Sequence, residues 1–79
     1  MPTIFRFKGW RVMIYTMDHL PPHVHVIGAN GQVVFVLLKD NIELREMIGV
    51  KPKELAEIEK ELLNQLPQLQ SAWEQIHGN

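Results

Sequence analysis

The chain has 79 residues, no cysteine and a formal net charge of −1. A chain this short buries only about 60% of the surface that it exposes when unfolded, so we expect one domain with a marginal core. The lack of cysteine excludes disulfides and thiolate metal sites. The longest apolar run, residues 33–38, is too short to span a membrane, and the N-terminus does not resemble a signal peptide. A cytoplasmic protein without a membrane partner is expected.

The chain divides into a β-rich part, residues 1–48, and a helical part, residues 52–77, and together they form one predicted domain over residues 1–79. Runs rich in aromatic and β-branched residues predict strands over residues 3–7 and 10–16. The fold class that follows is α+β: a twisted antiparallel sheet of four or five strands packed on one or two C-terminal helices.

Two dipeptides mark turns within the predicted sheet. Lys8-Gly9 is typical of a tight turn. Asn30-Gly31 lies between two β-prone runs and favours a two-residue type I′ hairpin. Such a loop would place His25 directly opposite Val36 on the neighbouring strand, and this register is our expectation for the second hairpin.

Three of the four histidines fall within residues 18–26, which read DHLPPHVHV. Because side chains two apart on a strand share a face, His23 and His25 should project together. Two such imidazoles can bind Zn or another divalent metal if a third ligand joins them. Asp18, in the preceding loop beside His19, is the candidate third ligand.

The same residues suit two other roles. Without a metal or any other cofactor, His23 and His25 can act as general base and general acid, for example in RNA cleavage, with Asp18 and His19 in support. Alternatively, Pro21-Pro22 only stiffens a turn and the histidines contact a partner protein. The residues alone leave catalysis, metal binding and a structural role open.

Non-specific nucleic-acid binding normally needs a basic patch, and the overall charge does not indicate one. Basic residues on the predicted strands can form a local patch. The simpler interpretation is that they lie on strand faces exposed to solvent. The basic residues concerned are Arg6, Lys8, Arg11, Lys39 and Arg45.

The run at residues 33–38, VVFVLL, is apolar on both faces, as in strands that are covered on both sides. The helices can cover one face. The other can be covered by a second copy, a partner protein or the first strands. Small domains often gain stability by association, so a homodimer or a heterodimer is expected.

Pro52 suits the first position of a helix, and apolar residues spaced three or four apart continue from there to Ile76. This stripe passes through Pro67, so either the helix kinks there or a second helix begins. Trp73 lies on the stripe and is expected in the core. His77, near the C-terminus, is expected to be solvated.

The chain opens with MPT, carries the DHLPPHVHV block at residues 18–26 and has the pair Ala72-Trp73 in its last predicted helix. In these features it resembles a family of small bacterial proteins, the domain-of-unknown-function family DUF4160. Genes of this family often lie beside a second small protein, as in toxin–antitoxin modules. The resemblance implies a toxin-like component with a partner encoded nearby, and it brings no established catalytic role.

Overall fold

In a computed structural model, which describes residues 3–78, five strands form one antiparallel sheet and two helices follow it. Met1, Pro2 and Asn79 of the predicted domain lie outside the described residues. The strands are paired in sequence order, so the α+β prediction is confirmed. The elements are β1 (Thr3–Phe7), β2 (Trp10–Met13), β3 (His23–Ile27), β4 (Gln32–Leu37), β5 (Ile42–Ile48), α1 (Pro52–Asn64) and α2 (Leu66–His77).

The strand pleat separates a core face from an outer face. Val24 and Val26 of β3 are completely buried, in one cluster with residues of both helices. Alternate residues project from the other side of the sheet, which we call the outer face. The outer face comprises Thr3, Arg6, Arg11, Met13, His23, His25, Ile27, Gln32, Val34, Val36, Glu43, Glu46 and Ile48. The core comprises Trp10, Val12, Ile14, Val24, Val26, Val33, Phe35, Leu37, Ile42, Val50, Ile58, Leu62, Leu66, Leu69 and Trp73.

The β3–β4 hairpin differs from the expected register by two residues. His25 pairs with Val34, and it is His23 that lies opposite Val36. The loop has four residues, 28–31, and is closed by the Gly28 N–H, which donates to the Gly31 carbonyl at 2.9 Å. The predicted two-residue loop is therefore wrong. Since the offset is an even number, the predicted assignment of side chains to the two faces still holds.

Positive φ angles at two consecutive turn residues occur instead between β1 and β2, at Lys8 (φ 47°) and Gly9 (φ 82°). Gly31 has a different role. A Cβ at Gly31 would collide with the carbonyl oxygens of Ile48 and Gly49, so this turn packs closely against the end of β5. The glycine of the Asn-Gly pair permits a close backbone approach and does not serve a type I′ turn.

The helical part is divided into two helices near Pro67, where a kink or a second helix was predicted. α1 ends at Asn64, and Pro67 lies in the first turn of α2. The N–H groups of a first turn have no acceptor within the helix, so a proline there costs no hydrogen bond. A second helix, the alternative to a kink, is therefore what forms. Gly78 ends α2 in the left-handed conformation. Within residues 3–78, neither helix has the length and apolar character needed to cross a membrane.

We expect Gly31→Ala to lower the free energy of unfolding by about 1–3 kcal/mol, because the added methyl group overpacks the contact with the end of β5. Gly9→Asn is the control, since a side chain at Gly9 meets open space and Asn tolerates positive φ. Urea unfolding measures both. Equal stability of the Gly31→Ala variant and the unsubstituted protein would contradict this account of the turn.

Candidate functional site

The loop between β2 and β3, residues 14–22, carries Asp18 in a locally closed turn. The Asp18 N–H donates to the Tyr15 carbonyl at 3.1 Å, and the Tyr15 N–H donates to Asp18 Oδ2 at 3.0 Å. An aspartate that bonds its own neighbouring backbone in this way fixes both the turn and its carboxylate. The carboxylate is therefore held in one direction, toward β3.

Both β3 histidines turn a ring nitrogen toward that carboxylate. His25 Nε2 lies 3.2 Å from each Asp18 oxygen, and His23 Nε2 lies 3.4 Å from Oδ1. One potential ligand atom from each of the three residues lies within 4.8 Å of the other two. The side chains of Asp18 and His23 are 12% and 9% exposed, and that of His25 is 23% exposed, so His25 faces the solvent side.

The other nitrogen of His23 is committed to the backbone. His23 Nδ1 lies 2.8 Å from the Pro21 carbonyl oxygen, which can only accept, so Nδ1 carries the proton. In a neutral ring, Nε2 then carries a lone pair that faces a carboxylate oxygen, and two hydrogen-bond acceptors repel each other. A cation between them, either a proton or a metal ion, removes this repulsion. Donation of the distal N–H to a backbone carbonyl is also the usual arrangement of metal-binding histidines.

The separations suit a small divalent ion. Zn bonds nitrogen and oxygen ligands at about 2.0–2.2 Å, and tetrahedral coordination then separates neighbouring ligand atoms by about 3.3–3.6 Å. The His–Asp separations of 3.2 and 3.4 Å lie close to that range, and all three ligand atoms lie within 4.8 Å of one another. An ion held by these three residues would still be open to water or substrate.

Aromatic rings surround the two histidines. Tyr15 meets His25 edge-on, with ring centroids 4.5 Å apart, and Trp73 of α2 packs against His23 at 5.5 Å. His77 packs on Trp73 at 3.9 Å, and its Nε2 is buried without a hydrogen-bond partner within residues 3–78. The expectation that His77 is solvated was wrong, because α2 continues far enough to place its ring on Trp73.

A cleft of about 300 Å³ lies over the three residues and is also lined by Arg45 and Glu46 of β5. The pairing of β4 with β5 shifts at this point: Glu46 pairs with Val34, and Arg45 is the extra residue of a bulge. Bulges redirect side chains and occur beside functional sites. The sequence placed Arg45 in a possible basic patch but not beside the histidines, since nothing in its local pattern indicates a bulge.

His19 lines the cleft but is exposed, and it does not belong to the group of converging ligand atoms. Of the four candidate residues, Asp18, His23 and His25 therefore come together and His19 stands beside them. On the other side of the loop, a larger cavity of about 730 Å³ lies against α2. There the Gln70 amide donates to the carbonyls of Leu38 and Lys39, at 2.7 and 3.0 Å, and ties α2 to the β4–β5 turn.

The sequence model of the family described as Domain of unknown function (DUF4160) matches residues 9–74. The chain belongs to this family. The matched part of this DUF4160 protein includes Asp18, His23 and His25, whereas His77 lies beyond it. No curated protein and no solved structure matches the chain.

We expect Asp18→Ala to lower the free energy of unfolding by about 1–3 kcal/mol in metal-free buffer, because the Tyr15 N–H loses its acceptor. Asp18→Asn retains an oxygen that can accept this bond, so its loss should be smaller. Urea unfolding in the presence of EDTA measures both. Equal losses would indicate that the negative charge, and not the bond to Tyr15, holds the loop.

Proposed function

We propose that this protein binds one divalent metal ion, such as Zn, through Asp18, His23 and His25. The observation that carries the proposal is the convergence of three ligand atoms within 4.8 Å of one another. The bond from His23 Nδ1 to Pro21 supports it, because this bond leaves Nε2 free to bind a metal.

The geometry favours metal binding over metal-free acid–base catalysis. A general base and a general acid each need a nitrogen directed at the reacting group. Here the Nε2 atoms of His23 and His25 both face the Asp18 carboxylate, and the other nitrogen of His23 is bonded to Pro21. His25 is the more exposed of the pair, so it offers the route by which an ion or substrate reaches the site.

The chemistry of such a centre is the activation of water. A divalent ion with an open position lowers the pKa of bound water and so provides a nucleophile near neutral pH. The cleft supplies access, and Arg45 at its edge supplies a positive charge for an anionic substrate. A hydrolytic reaction on a phosphodiester is the reaction that this arrangement suits best.

We expect isothermal titration calorimetry of the tag-free protein to show one Zn or Mn ion bound per chain. His23→Ala and His25→Ala should each weaken binding by more than about 100-fold, beyond the loss usual for residues that only orient a ligand. His19→Ala is the matched control, because His19 lies in the same loop without joining the ligand group.

Equal weakening by His19→Ala would show that the ion binds elsewhere in the histidine segment. If no divalent ion binds to the folded protein, the metal proposal is wrong.

The finer proposal is that the protein is a toxin-like component of a two-gene module that cleaves RNA in the cytoplasm. Its support is the resemblance described above, together with a cleft that combines the three converging residues and Arg45. A homodimer, or a complex with a protein encoded nearby, also remains a prediction. Val34, on the outer face of β4, is buried within a single chain, so covering that residue does not itself require a partner.

We expect the metal-loaded protein to cleave single-stranded RNA, and EDTA to stop the reaction. His23→Ala should abolish cleavage and His19→Ala should preserve it, as followed by gel electrophoresis of a labelled oligonucleotide. Cleavage that persists in EDTA would favour the acid–base alternative. Intact RNA under all metal conditions would remove the ribonuclease proposal and leave metal binding to be judged by calorimetry.

A further inference from the structure

Two arginines on the outer face lie directly opposite each other. Arg6 of β1 pairs with Arg11 of β2, and both side chains are exposed. Like charges at opposed positions of neighbouring strands destabilise a sheet. With Lys8 they line a cavity of about 530 Å³ that has no carboxylate among its lining residues. We call Arg6, Lys8 and Arg11 the basic notch.

The two arginines of the notch have no counter-charge within the part of the chain that the structure describes. Lys8 is paired with Glu57 of α1 at 3.6 Å, whereas no carboxylate of residues 3–78 lies within ion-pair distance of Arg6 or Arg11. Two unpaired guanidinium groups beside each other are suited to bind a phosphate group, which accepts hydrogen bonds from both.

The two arginines of the notch lie on the same face as the histidines and close to them, whereas Lys8 reaches toward Glu57 of α1. Arg11 pairs with Ile27, and the next outer-face row joins Met13 to His25. With strands about 4.8 Å apart and a rise of about 3.3 Å per residue, the Cα atoms of Arg11 and His25 are separated by about 8 Å. A short stretch of nucleic-acid backbone spans this distance once the length of the arginine side chain is included.

A third arginine lies on the other side of β3 from Arg6 and Arg11. Arg45 of β5 lines the cleft over the site, and β4 lies between β5 and β3. Positive groups therefore flank the three converging residues on both sides of the outer face. Two acidic residues, Glu43 and Glu46, lie on the same face, and Glu46 also lines the cleft, so a phosphate at this end has to bind on the Arg45 side.

We propose that the outer face binds the phosphodiester backbone of single-stranded RNA, with one phosphate in the basic notch and a later one beside Arg45. The backbone then passes over Asp18, His23 and His25. This assignment rests on the proposed function for the role of that site, but RNA binding itself does not require the metal. Sheet surfaces are one of the platforms that proteins use to bind single-stranded RNA.

The test is fluorescence anisotropy of a labelled oligouridylate with metal-free protein in EDTA, at several salt concentrations. Each phosphate contact with a single strand contributes about 0.7 to the slope of log K against log salt. Because one phosphate occupies the notch, Arg6→Gln together with Arg11→Gln should lower the slope by about 0.7 and weaken binding about fivefold at 0.1 M salt. Arg45→Gln, which removes the contact to the second phosphate, should lower the slope by a similar amount.

The matched control is Lys53→Gln together with Lys60→Gln. It makes the same change in net charge at exposed positions of α1, which packs on the core face. It should leave the affinity within about twofold. Thermal unfolding checks that the arginine variant folds, and relief of the opposed charges should leave its stability equal or higher.

Equal losses in the two double variants would show that only net charge matters, and would overturn the assignment. Absence of RNA binding by the unsubstituted protein, or preferential binding of anionic phospholipid vesicles, would overturn it as well. Because the measurement is made without metal, these outcomes do not depend on whether calorimetry finds an ion at the histidines.

Discussion

The alternation of side chains along β3 determines on which side of the sheet the candidate site lies. Val24 and Val26 are completely buried against the helices, so His23 and His25 must leave the sheet on the opposite side. β3 is the middle strand of five, hydrogen-bonded on both sides. A shift of one residue would put the histidines in the core and the valines in water. The positions of the two imidazoles thus follow from the burial of the two valines.

Asp18 adds the charge to this arrangement. A carboxylate that is largely removed from water needs hydrogen bonds or positive charge around it, and here the Tyr15 N–H supplies only one bond. His25 Nε2 lies 3.2 Å from each Asp18 oxygen and can donate a further bond, whereas His23, whose Nδ1 donates to Pro21, turns an Nε2 lone pair toward Oδ1. Asp18 therefore closes the loop and also brings both imidazoles to one point, which is why we regard the loop and the site as one unit.

The fold could be predicted where it depends on residues close together in the sequence. Alternation in β3 and the three-and-four spacing from Leu55 to Ile76 are such patterns, and the structure follows both. The β3–β4 register was wrong because Asn30-Gly31 favours a type I′ loop locally. The chain instead uses Gly31 to approach Gly49, a contact between residues far apart in sequence.

The site was predictable to a similar extent. Asp18, His23 and His25 were candidates from their spacing, but whether His19 or Asp18 turns inward depends on the hydrogen bonds within the loop. Arg45 reaches the cleft through a bulge, and His77 reaches Trp73 because α2 packs on the sheet. The opposition of Arg6 and Arg11 depends on pairing between strands, so the net charge gave no sign of it.

All three converging residues lie within eight consecutive positions, 18–25. The entropy lost on closing a loop grows with its length, so an ion bound here would close only a short segment of chain. In proteins whose metal joins distant segments, the ion helps to hold the whole fold together. In this chain the helices and the sheet are joined by the apolar core instead. A metal would therefore order one surface loop, and its loss would leave the rest of the domain folded.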